Sequence, residues 1–104
     1  MYSDEKLADL ICHEEMIMEG LDKNFWRLIK LPSPQLWEQT AIDREEYSWV
    51  LAIVGNHCIY FNGEICNYSI AQFNDSCEIS TAKKDSENLH ELIAEIVRSL
   101  FMRP

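Results

Sequence analysis

Glycine is scarce in this chain, and its three copies stand apart at positions 20, 55 and 63. A phosphate-cradling loop of the GxGxxG or P-loop kind needs closely spaced glycines, so nucleotide binding of those kinds is excluded. Basic residues are few as well, 9 against 18 acids, for a net charge of −9. They read as scattered, so no nucleic-acid footprint exists, and the overall field repels phosphate and anionic membrane surface. Long apolar runs are missing too. The longest, Trp49 to Val54, has the length of a strand and falls far short of the ~20 residues of a membrane span. The opening MYSDEKLADL lacks the basic and apolar regions of a signal peptide. The expected compartment is the cytoplasm.

The four cysteines, Cys12, Cys58, Cys66 and Cys77, form no CxxC pair. In a cytosolic chain such residues are expected to be small buried apolar groups. Cys12-His13, His57-Cys58 and His90 contain metal-ligating atoms. Zinc ligands usually come in spaced pairs such as CxxC or HxxxH, however, and adjacent residues on a strand point to opposite faces. The same divergence separates His57 from Cys58 as a nucleophilic couple. His13-Glu14-Glu15 is not HExxH, and Glu91 and Glu95 are expected on a solvated helix face. No metal, cofactor or catalytic constellation is expected, and the chain is not read as an enzyme.

What is present is a clear hairpin signal. In WVLAIVGNHCIYFNGEICNY, Trp49 to Tyr68, Gly55-Asn56 and Asn62-Gly63 separate three apolar runs. Such pairs suit the positive φ of tight hairpin turns, so a three-strand antiparallel meander is expected at about 47–70. Asn62-Gly63 at the turn centre would set Phe61 against Glu64, Ile59 against Cys66 and His57 against Tyr68. Gly55-Asn56 would set Val54 against His57, Ala52 against Ile59 and Val50 against Phe61. One face then carries Val50, Ala52, Val54, Ile59, Phe61 and Cys66. The other carries Trp49, Leu51, Ile53, Cys58, Tyr60 and Ile65. Both are apolar, so both are covered or one is an interaction surface.

Helices are expected at both ends. Residues 3–20 place Leu7, Leu10, Ile11, Ile17, Met18 and Leu21 near helical spacing, with Glu14 intruding on the same side and Gly20 as C-cap. Glu14, Glu15, Glu19 and Asp22 crowd its C-terminal half, the wrong end for the helix dipole, which points either to a reason other than helix stability or to a salt partner elsewhere in the fold. Residues 24–31 fit a strand or a short helix. Pro32 and Pro34 impose an extended or turning segment, and a helical turn can begin at Ser33. Beyond the meander, 69–81 read as a weaker strand with a turn at Asn74-Asp75-Ser76 and a short strand at Cys77–Ile79. Asp85 or Ser86 then caps a last helix, on which Leu89, Leu92, Ile93, Ile96, Val97, Leu100 and Phe101 form an apolar stripe. The fold class is α+β: a small antiparallel sheet, the meander plus one or two strands, packed by N- and C-terminal helices in one domain, 1–104.

The acidity lies outside the meander. Residues 1–46 hold 11 acids and 5 bases, and residues 47–84 hold 3 and 2. A basic protein partner would meet Glu14, Glu15, Glu19, Asp22, Glu38, Asp43, Glu45 and Glu46, with Trp37 as aromatic anchor beside Glu38. A small, acidic α+β chain without a catalytic motif resembles bacterial toxin-immunity proteins, including those of contact-dependent growth inhibition systems. The resemblance spans the whole chain and rests on its overall character. It implies that the protein binds the toxin domain of its own system, often a nuclease, and blocks it. Two alternatives stand beside it: a homodimeric or adaptor module using an apolar sheet face, and a small enzyme using His57 or His90.

Overall fold

A computed structural model describes residues 4–39, 46–62, 66–76 and 78–101. The elements run α1 (Asp4–Ile17), α2 (Gly20–Ile29), β1 (Lys30–Gln39), β2 (Glu46–Val54), β3 (His57–Asn62), β4 (Asn67–Phe73), β5 (Ile79–Ser86) and α3 (Leu89–Phe101). The fold is α+β, as the pattern predicts. Each strand pairs antiparallel with the next, and the sheet curls until β1 meets β5 at Gln39 and Ile79. A meander of five strands gives its first and last the same direction, so the seam that closes this barrel is parallel.

Closure divides the apolar residues into two cores. Inside the barrel lie Trp37, Val50, Cys58, Tyr60, Ala71 and Ile79, with Leu31, Ile53 and Phe73 packed on them. Outside, Leu51, Ala52, Ile59, Phe61 and Tyr68 meet Leu7, Met18, Phe25, Trp26, Leu89, Leu92, Ile93 and Val97 of the helices. α2 lies over β2, α3 over β4 and β5, and α1 packs against α3. Both faces of the meander are therefore covered, one by helices and the other by the sheet's own curvature. The second apolar face is barrel interior.

The register differs from the expected one in two places. The β2–β3 pairing follows Val54–His57 and Ala52–Ile59, but a bulge between Val50 and Ala52 then sets Val50 against Tyr60 and Trp49 against Phe61. One extra residue on the bulged strand reverses the alternation beyond it. Val50 thus enters the barrel, while Leu51 and Trp49 join the helix side. At the second turn, Asn62 pairs with Asn67, Phe61 with Tyr68 and Ile59 with Ile70. Phe61 thus faces Tyr68 and not Glu64, and Gly63, Glu64 and Ile65 lie outside the described residues. Cys66 takes φ 53. At the first turn Gly55 adopts φ 61, as a tight hairpin requires.

Several local expectations also change. Residues 24–29 are helical, within α2. Ser33–Trp37 is strand, with the register shift of β1 falling between Lys30 and Gln35, around Pro32 and Pro34. Among the described residues β1 pairs with β5 only at Gln39, and prolines suit such a largely unpaired edge because they block further strand addition. α1 stops at Ile17, and Gly20 turns the corner into α2 at φ 57. The fourth strand and its turn match: Asn74 Oδ1 accepts from Ser76 N at 2.9 Å and Glu78 N at 3.1 Å. β5 begins at Ile79 and runs on to Ser86. Among the described residues, no helix is long and apolar enough to cross a membrane.

Candidate functional site

The β1–β2 ladder presents the most distinctive exposed surface. Leu36 pairs with Trp49, Trp37 with Ser48 and Glu38 with Tyr47. Strand alternation sends Trp37 and Ser48 into the barrel and leaves Leu36, Glu38, Tyr47 and Trp49 on the outer face. Trp49 is half-buried beside the helical core, but Leu36 is 43% and Tyr47 60% exposed. Directly opposed side chains on adjacent strands are in contact range. An exposed phenol, an aliphatic side chain and the exposed Glu38 carboxylate therefore share one small patch. Glu38 makes no ion pair with a described residue. A surface of this kind offers aromatic anchorage and negative charge together, as protein interfaces do.

Trp37, the expected anchor, is not on that surface. It is 8% exposed, its ring edge meets Phe73 at a centroid distance of 5.1 Å, and its Nε1 donates to Gln35 Oε1 at 3.1 Å. It fills the barrel because its neighbours Leu36 and Glu38 occupy the outward positions. Tyr47, one of several aromatic residues that could serve as core or as interface anchor, holds the exposed position instead. Its pairing with Glu38 follows from the β1–β2 register, which the sequence did not specify.

The acids of α1 and α2 divide by environment. Glu14 is buried at 6% exposure. Its Oε1 accepts from the Leu89 backbone N–H, and its Oε2 lies 3.0 Å from His90 Nδ1, which must carry the proton toward a carboxylate. Glu14 thus caps α3 from α1 and is withdrawn from any partner. Its place at the wrong end of α1 is explained by the right end of α3, where the helix dipole favours an anion. Leu7, Ile11 and Glu14 form the inward stripe of α1, which Met18 continues just past its end, while Leu10 and Ile17 of α1 and Leu21 of α2 are exposed. α3 is accordingly not capped by Asp85, which accepts from Ser69 Oγ within the sheet. Ser86 bonds to the backbone of Asn88 just before the helix.

Glu15 is also engaged. Its Oε2 accepts from Trp26 Nε1 at 2.8 Å and Lys30 Nζ at 2.7 Å. Partial burial pushes its carboxyl upward, but the bonds from Lys30 and Trp26 and the charges of Lys30 and Arg27 prevail and hold it below the ordinary glutamate value. Glu19 is exposed at the α1–α2 corner, and Asp22 is half-buried in the first turn of α2. Asp43 and Glu45 lie outside the described residues. Glu46 opens β2 opposite Gln39. The expected acidic set is therefore dispersed, and of its members Glu19 and Glu38 are exposed acids.

The histidines and cysteines separate as strand geometry requires. Cys58 is in the barrel core, whereas His57 lines a cleft of about 310 Å³ with Ile70, Ile96, Leu100 and the Lys84–Glu95 ion pair. Cys12 and Cys66 are exposed rather than buried, and Cys77 is outside the described residues. Among the described residues, no three His, Cys, Asp or Glu side chains converge as metal ligands would. No protein-family model, curated protein or solved structure matches the chain.

Proposed function

We propose that this protein binds a cationic protein partner in the cytoplasm and neutralises it, in the manner of a bacterial immunity protein acting on a toxin such as a nuclease. The supporting observation is the outer face of the β1–β2 ladder, where Tyr47 and Leu36 stand exposed around Glu38. The net charge of −9 complements such a partner and would speed its encounter. Tyr47 would anchor the complex, and Glu38 would pair with lysine or arginine. Inhibition would be steric, by occupation of the partner's active site or a neighbouring surface.

The test begins with the chain as bait in its native host, washed at stepwise salt, with captured proteins identified by mass spectrometry. A basic partner released by salt, and lost with Tyr47→Ala, supports the reading. Recovery of the chain alone, or capture unaffected by Tyr47→Ala and Glu38→Lys, overturns it.

A further inference from the structure

Three of the bases of this chain gather at one place in the fold. Lys23, Arg27 and Lys30 are spaced i, i+4 and i+7, which places three of the nine basic residues along one side of α2 and its exit into β1. They line a cleft of about 230 Å³ between α1 and α2, together with Glu15, Met16 and the edge of Trp26.

The charges of this cleft do not cancel. Lys30 is neutralised by Glu15 at 2.7 Å, and Glu15 is itself held in place by the Trp26 indole. Lys23 and Arg27 form no ion pair with a described residue. Two cations are thus left over at one cleft, in a molecule with twice as many acids as bases. We propose that the α1–α2 cleft binds an oxyanion, a carboxylate or phosphate group, on Lys23 and Arg27. The guanidinium offers a planar fork suited to two oxygens, and the ammonium offers a point charge one turn away. Glu15 opposes the anion and occupies Lys30, so it limits affinity. This site is independent of the β1–β2 face and of the function proposed for it.

The opposing role of Glu15 gives the test its sign. The labelled protein is titrated with inorganic phosphate, and separately with succinate, at constant ionic strength set with sodium chloride. The Trp26 indole N–H and the Arg27 side-chain N–H resonances are followed. Saturable shifts at both, with millimolar affinity, are expected. Lys23→Gln with Arg27→Gln weakens binding about tenfold or more. Glu15→Gln, whose amide oxygen still accepts from Trp26 Nε1, tightens binding severalfold because it removes the opposing charge and releases Lys30. Saturation by phosphate alone assigns a phosphate site, and saturation by both assigns a general oxyanion site. Shifts that do not saturate, shifts spread equally over Lys6, Lys84 and Arg98, or a Glu15→Gln variant with unchanged affinity overturn the proposal.

Discussion

Neighbouring acids in this chain have different work. Glu14 and Glu15 are adjacent, yet one caps α3 and the other ties Lys30 to Trp26. Glu14→Ala leaves the Leu89 N–H and His90 without their acceptor, and is expected to destabilise the protein by about 2–3 kcal/mol. Glu14→Gln keeps an oxygen for the helix and loses less. Urea denaturation of both variants measures the difference, and equal midpoints for wild type and Glu14→Ala would remove the cap from the account. For Glu15 the sign follows from a folded-state pKa below the unfolded one. Its contribution is fully present above the unfolded-state glutamate pKa and is lost as pH falls through the lower folded value. Stability measured down the acid limb should therefore fall less steeply in Glu15→Gln than in wild type. Because the group is partly exposed, the difference is modest and shrinks with salt. Glu14 read from sequence alone is an anomaly on an apolar stripe. Its partner lies 75 residues away, beyond the reach of any local pattern.

At the scale of the element, short-range turn chemistry was legible and register only partly so. Gly55 stands at φ 61 with open space around the position of an added Cβ. Gly55→Ala is thus expected to cost about 1–2 kcal/mol through backbone strain alone, whereas Gly55→Asn costs less because Asn tolerates the left-handed region. Thermal melts of the two variants give the ordering, and a neutral Gly55→Ala would mean that the turn relaxes. The Gly55-Asn56 turn specified the pairing near it, through Ala52 and Ile59. It could not specify the bulge beyond, which depends on which side chains fit the barrel. Val50 fits inside and Leu51 fits beneath the helices, so the strand takes up one extra residue to satisfy both. The last helix was legible because its stripe is purely apolar, although Leu100 near its end is exposed. The first was misread at Leu10, Ile17 and Leu21 because its inward stripe includes a carboxylate.

For the whole molecule, the charge of −9 bears on encounter and the fold bears on what an encounter meets. If the partner is cationic, association should slow about tenfold or more between low and high salt, while dissociation changes little. Tyr47→Ala should instead speed dissociation about tenfold, the size of effect an interface anchor carries. Stopped-flow association and surface-based dissociation separate the two, and a salt-independent on-rate would contradict electrostatic steering. The residues proposed for that face could be found in the sequence only as acids and aromatics. Glu38 was legible by its charge and its place outside the meander. Trp37 was not available as an anchor once pairing put it inside the barrel and left Tyr47 outside. By itself the sequence determined the α+β class, the tight first hairpin, the amphipathic last helix and the acidic balance. These depend on residue type and on spacing within a few turns or strands. The tertiary structure decided closure into a barrel, the burial of Glu14 against α3, the bulge, and the packing of α1 beside α2 that sets Glu15 against Lys30. Each of these depends on side chains meeting across elements, where shape and charge complementarity act and sequence distance carries no information.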